Sequence, residues 1–234
     1  MTSVEKIIEE YETVVKVVDH NAQETERAYG GYVRATKGKL QEYITGEIIK
    51  LAWLNVGGDL NRLDINSAKI QIPIKMDYVK KIKNKEVREY ILKNIGHYTY
   101  GLSVDKHVFI DRKFVLGIEC KAYTENAMLK RILVDFHLLK SQFPDILCFL
   151  FQLESQLGGD YSKLSDPSFG SCSTHSIMSY FENLDLKIFT FLEGEREVDK
   201  PIHKIFKPLP RHSVEKAVSL LEDSLKRFVG GLSL

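Results

Sequence analysis

Residues 98–121 read YTYGLSVDKHVFIDRKFVLGIECK, and residues 126–151 read NAMLKRILVDFHLLKSQFPDILCFLF. In the first stretch, two runs rich in aromatic and β-branched residues, 98–110 and 114–121, flank Asp111-Arg112-Lys113. That pattern predicts two strands joined by a turn, a β-hairpin. In the second stretch Ala127, Ile132, Leu133, Phe136 and Leu139 share one helical face over about 126–142. Phe143-Pro144-Asp145 ends the helix, because a residue before proline is pushed out of the helical region. Ile146 to Phe151 then form an apolar run with the length of a buried strand. Strand, helix and buried strand make a βαβ unit, whose strands are parallel with a right-handed crossover. The expected fold is α/β: a central mixed sheet, antiparallel on one side and parallel on the other, flanked by helices.

The surrounding chain extends this frame. Val4, Ile7, Ile8, Tyr11, Val14, Val15 and Val18 have helical spacing, which predicts a helix over 4–28. A second helix is expected from about Lys39 to Asn55, stopped by Gly57-Gly58, with Trp53 on its apolar face as a core residue. Residues 68–74 (AKIQIPI) alternate like a strand, with Pro73 at an edge or an end. Residues 76–95 read as a polar helical stretch. Residues 158–172 are loop-like, with a helix near 174–182 and a strand near 186–192. Ser213 is a candidate cap for a last helix reaching Phe228. The expectation is a single domain over 1–234, with a catalytic core at 98–153, a helical N-terminal part at 1–60 and an elaboration at 158–234.

Composition narrows the function classes. Apolar residues make up 44% and charged residues 28% of the 234, ordinary for a globular protein. The formal charge is only +1, so any nucleic-acid surface must come from local segregation of charge. Three cysteines without paired spacing argue against a disulfide framework and for a reducing compartment. The N-terminus lacks the basic and apolar regions of a signal peptide, and no apolar run is long enough to span a bilayer. These features predict a cytoplasmic, soluble protein.

The chemistry sits at the end of the hairpin. Side chains alternate on a strand, so Glu119 and Lys121 face the same way. They follow the apolar run Phe114 to Ile118 and emerge at the rim of the sheet. Asp105, on the preceding strand, can approach Glu119 across the hairpin. Two carboxylates suit Mg²⁺, a hard cation that prefers oxygen. Such a metal stabilises charge on a phosphate and acidifies water, and a neighbouring lysine can orient that water or meet developing charge. An acid-x-Lys triplet alone is no signal, since Asp185-Leu186-Lys187 is another one. That second triplet lacks the hairpin before it and the helix and buried strand after it.

Asp105, then Glu119-Cys120-Lys121 after a hairpin, then a helix and a buried strand, resembles the PD-(D/E)XK nuclease superfamily over about residues 98–153. In size, in an N-terminal helix with a Gly-Lys-x-x-Glu start (Gly38 to Glu42) and in its late strands, the chain is similar to type II restriction endonucleases. The resemblance implies a Mg²⁺-dependent, sequence-specific enzyme that cuts double-stranded DNA, acting as a homodimer. It makes Asp105 and Glu119 metal ligands, the Cys120 carbonyl a further ligand, Lys121 the catalytic lysine and Glu42 an acid reaching the site from its helix, with Glu47 a weaker choice. The family's proline before the aspartate is Val104 here, and Asp111 is the rival for the aspartate role. A repair or junction-resolving nuclease on the same core, and a non-catalytic DNA-binding module, are the other readings.

Further candidates for DNA contact follow from charge and hydrogen-bonding capacity. Arg34, Lys37 and Lys39 lie near the expected start of the second helix, where a phosphate is well held. Tyr123, Thr124 and Asn126 open the helix after Lys121, with Lys130 further along it. Thr124 could cap that helix, and the Asn126 amide could pair with adenine. Residues 75–93 hold seven basic and three acidic side chains, and Lys204, Lys207 and Arg211 lie in an acid-free stretch. Either segment could track a DNA backbone. Cys172 and His175 lack the further ligands of a zinc site; Ser171 to Ser176 read as a loop and helix cap.

Overall fold

The computed structural model describes residues 2–24, 30–162, 170–196 and 206–230, the side chains of 21–24 and 30–34 excepted. The hairpin, the helix and the buried strand all form, as β4 (Lys106–Ile110), β5 (Lys113–Glu125), α5 (Asn126–Gln142) and β6 (Leu147–Gln156). With β1 (Leu63–Asn66) and β7 (Lys187–Thr190) they make a five-stranded sheet in the order β1-β4-β5-β6-β7. The β1, β4 and β5 neighbours run antiparallel, whereas β5, β6 and β7 run parallel. The expected mixed α/β sheet is therefore present.

Asp111 and Arg112 both take positive φ, 49° and 65°, and link Ile110 to its partner Lys113. Two left-handed residues in a two-residue loop match the right-handed twist of the flanking strands. Arg62 clamps the loop by donating to both oxygens of Asp111.

Alternation along β6 sends side chains to two cores. Phe149 and Phe151 join the core shared with α1 (Val4–Glu24), α2 (Gly30–Asn55) and α7 (Arg211–Leu225). Cys148 and Leu150 join the core under α5. Gly117, within β5, is what lets α5 lie close: a Cβ there would meet the Phe136 ring at 2.9 Å. Trp53 is fully buried, with its indole N–H donating to the Asp59 carbonyl. Its loss leaves a large cavity, so Trp53→Ala should cost about 3–5 kcal/mol of unfolding free energy, readable by urea denaturation. A drop near zero would mean that the α2 core is not organised around it.

Several expectations need correction. The run 98–110 is two strands in two sheets, not one. β3 (Thr99–Leu102) pairs with β2 (Ile70–Pro73) in a separate two-stranded ribbon, and Pro73 is the end of its strand, as expected. The chain breaks at Ser103–Asp105, where the Val104 amide donates to the buried His107 ring. The polar stretch 76–95 is two short helices, α3 (Met76–Lys81) and α4 (Lys85–Lys93). α2 starts at Gly30 rather than near Lys39, and Gly57, at φ 85°, turns the chain out at its end. α1 ends at Glu24; the remainder of its expected span, 25–28, lies outside the described residues. Ser213 does not cap α7. Pro210 does, and its carbonyl accepts from the Ser213 and Val214 amides, so Ser213 falls inside the first turn. Ser171 does cap α6 (Cys172–Ser179) through the Thr174 amide.

Candidate active site

The site forms where β4 stops and β5 continues. The antiparallel ladder begins at Lys106↔Ile118, so the next pair along would be Asp105 opposite Glu119. Beyond Ile118, β5 runs to Glu125 with only β6 beside it. Glu119 and Lys121 thus lie in mid-strand, not at the strand end that the sequence suggests. The amide of Cys120 has no strand partner on the open side, and the Asp105 carboxylate accepts from it at 2.7 Å. The break that takes β3 away therefore turns Asp105 onto β5.

Three oxygens gather round the Lys121 ammonium: Glu119 Oε1 at 2.5 Å, Asp105 Oδ2 at 3.1 Å and the Cys120 carbonyl at 3.1 Å. Glu119 is 12% exposed, Asp105 26% and Lys121 29%, so the group opens to solvent from a packed wall. Burial opposes the charge on Lys121, but Glu119 and Asp105 outweigh it and raise its pKa. Burial raises the Glu119 pKa, opposed by Lys121 and reinforced by Asp105.

α2 closes the site from the other core. The Cys120 thiol donates to Thr45 Oγ1 at 3.4 Å, which ties α2 to β5. Glu42 lies three residues earlier on the same helix. Its carboxyl is held above the usual range by burial and by Asp105, against Lys106, Lys121 and Lys39. Glu42 therefore feels the site's charges, as its sequence position suggests. Glu47 is hydrogen-bonded instead to Thr2 and Lys50.

Asp111 is occupied by Arg62 at the far end of the hairpin. The twin triplet Asp185-Leu186-Lys187 is a left-handed turn residue followed by the first residue of β7.

The candidate DNA contacts separate. Lys39 and Lys130 are exposed on α2 and α5. Lys37 is buried and paired with Asp19 at 2.8 Å, and α2 does not begin beside Lys37 and Lys39 but at Gly30. The Arg34 side chain and Lys204 lie outside the described residues. Tyr123 is buried, with the Arg196 guanidinium 3.9 Å from its ring centre. Thr124 is fully buried inside β5 and does not cap α5, whose first turn follows Glu125. Asn126 spends its amide on Thr174 and Ser171. Lys207 is paired with Glu154, and Arg211 with Glu5 and Glu215.

Two residues near the lysine escaped the sequence reading. Gln152 is its register partner on β6, fully buried, and donates to Thr190. Its signal was a lone amide inside an apolar strand. Asp135, on α5, feels the charges of Arg131 and Lys121 while burial raises its pKa; its place beside Phe136 at the border of the helix's apolar face was the available clue.

The donors that face Lys121 are all oxygens: two carboxylates and a backbone carbonyl. They fit a hard divalent cation, and Asp105, Glu119 and Lys121 together leave the site one negative charge in excess. Among the described residues no three His, Cys, Asp or Glu side chains cluster tightly enough to hold a metal by themselves.

No helix among the described residues is long and apolar enough to cross a membrane. No protein-family model matches the chain. The sequence is 57% identical over 227 residues to the type II restriction enzyme DdeI of Desulfomicrobium norvegicum, an alignment covering 94% of this chain and 95% of that protein. Identity at that level over almost the full length of both proteins sets aside a repair nuclease or an inert binding module. The chain belongs to the type II restriction endonucleases: it is a DNA-binding, site-specific deoxyribonuclease.

Proposed function

We propose that this endonuclease is a Mg²⁺-dependent member of the PD-(D/E)XK superfamily, with Asp105, Glu119, Cys120 and Lys121 as its active site. One observation carries the reading: Asp105, Glu119 and the Cys120 carbonyl converge on the Lys121 ammonium beside an open sheet edge. The two carboxylates and the carbonyl would hold the cation. When bound, Mg²⁺ supplies positive charge to the scissile phosphate and acidifies a water for in-line attack.

The protein's own groups do the rest. Asp105 is fixed by the Cys120 amide and presents its charge without reorganising. Lys121, kept protonated by its two acids, offers N–H donors where negative charge develops on the phosphate. Glu42, on α2, lies outside that ligand set and adds negative charge that helps to attract the cation. Lys39 and Lys130 are exposed on the helices that carry Glu42 and Asp135, and contact the DNA backbone.

The enzyme works on double-stranded DNA as a homodimer, because one site per subunit matches one cut per strand of a symmetric target. It acts in the cytoplasm, in keeping with three free cysteines.

Digestion of a long natural DNA with Mg²⁺, followed by sequencing of the fragment ends, tests this. The expected result is a discrete ladder whose ends share one short motif, abolished by EDTA and restored by excess Mg²⁺. Undiminished cutting in EDTA would overturn the metal-dependent mechanism.

A further inference from the structure

The segment between β2 and β3 carries most of what the active site leaves unexplained. It contains α3 and α4, and only Val79 and Ile91 are buried between Lys75 and Tyr100. Its base is well anchored: β2 and β3 pair with each other, and Ile72 and Leu102 enter the α5 core. Beyond that base the helices project side chains into solvent.

This segment is strongly basic in a nearly neutral chain. Residues 75–93 hold seven basic and three acidic side chains. The whole chain has 33 basic and 32 acidic residues, so without this segment it holds 26 against 29 and is net negative. An enzyme that must grip a polyanion thus concentrates its positive excess here. Lys80 and Lys85 lean on Asp77 and Glu89 of their own helices. Lys81, Lys83 and Lys93 are exposed and make no ion pair among the described residues.

Tyrosines are interleaved with these lysines. Tyr78, Tyr90 and Tyr100 are 62%, 64% and 58% exposed, and Met76, Val87, Leu92 and Ile95 are partly exposed beside them in sequence. Exposed apolar surface of this kind marks an interaction site. A second copy of the same face is a poor occupant, since it would set one positive patch against another. Duplex DNA satisfies both features: phosphates take the lysines, and sugars and thymine methyls take the apolar groups.

Position supplies the last argument. β3 ends at Leu102, and Asp105 follows three residues later. The base of the arm is thus three residues along the chain from the proposed metal-binding acid.

We propose that α3 and α4 form a DNA-gripping arm whose lysines Lys81, Lys83 and Lys93 contact the phosphate backbone flanking the cut. The siting of the arm rests on the active-site reading above. Its chemistry rests on charge and exposure alone.

The test is a salt titration of binding. The full-length protein in EDTA is titrated onto a mixed-sequence duplex of about 40 base pairs, long enough to pass both the site and the arm, and the slope of log K against log salt is measured. The triple variant Lys81→Gln, Lys83→Gln, Lys93→Gln should reduce the slope by about 2 to 3, near 0.9 for each phosphate that is no longer neutralised. The triple Lys→Arg variant should restore it. Circular dichroism of both variants establishes that they are folded.

An unchanged slope in the folded Gln variant would overturn the proposal. So would an unchanged slope together with a shift in sedimentation from dimer to monomer, which would assign the face to a second copy. Because binding is read without a cation, failure of the metal mechanism leaves this result interpretable. Equally, a wild-type enzyme that cuts with Mg²⁺ but has no arm-dependent slope would fail here alone.

Discussion

Lys121→Ala lowers the single-turnover rate of DNA cleavage by at least about a thousandfold, roughly 4 kcal/mol of barrier, while the protein stays folded and binds DNA. Glu119→Gln has an effect of the same order. The expectation follows from the geometry: one ammonium is shared by two carboxylates and a carbonyl, so these groups act as a unit. Groups that act as a unit are not additive, and the double variant should be little worse than either single one. Lys121→Ala has a second, independent readout. It removes the charge that competes with a divalent cation for Asp105 and Glu119, so cation affinity measured by calorimetry should rise even as cleavage is lost. Full metal-dependent cleavage by Lys121→Ala would remove the lysine, and with it the active-site assignment.

The parts of the site that were legible in the sequence are those fixed by local period. The hairpin, α5 and β6 each carry a repeat of two or 3.6, or an unbroken apolar run, bounded by turn residues. That Glu119 and Lys121 share a face followed from strand alternation, and choosing them over Asp185 and Lys187 took the hairpin before them and the helix and buried strand after. The parts that were not legible depend on contacts distant in sequence. The run 98–110 alternates only as far as Asp105, and what places the break at Ser103–Asp105 is the pairing of the Val104 amide with His107 and of Asp105 with the Cys120 amide. β1 is four residues on a sheet edge, too short for any period to register. The start of α2, Gly-Gly-Tyr-Val-Arg-Ala-Thr-Lys-Gly, has poor intrinsic helix propensity. The buried pair of Lys37 with Asp19 of α1 joins the two helices there. Thr124 and Asn126 show the same limit for function: sequence displays a polar side chain but not that Thr124 is buried within β5 or that Asn126 is already hydrogen-bonded to Thr174.

Asp105→Asn should abolish cleavage as thoroughly as Lys121→Ala, whereas Asp111→Asn should leave it intact. Both aspartates lie on the same hairpin, and both make charged hydrogen bonds. Their surroundings differ in kind. Asp105 faces the Lys121 ammonium and accepts from the Cys120 amide, where β5 has lost its partner strand. Its neutral amide analogue keeps the shape and loses the charge, so the site can no longer attract a cation with two carboxylates. Cation affinity should therefore fall in Asp105→Asn, opposite to its rise in Lys121→Ala. Asp111 faces Arg62, at the other end of the strand pair, and its carboxyl is held low by that guanidinium. Asparagine tolerates the left-handed backbone at this turn, so Asp111→Asn isolates the charge without straining the loop. Its effect should be confined to a small loss of thermal stability, read as a lowered Tm with cleavage unchanged. Loss of cleavage in Asp111→Asn with full activity in Asp105→Asn would exchange the two roles and move the metal to the opposite end of the hairpin. The expected pair of opposite cation affinities, one raised and one lowered by single changes on either side of one ammonium, is a signature that no merely structural salt bridge would give.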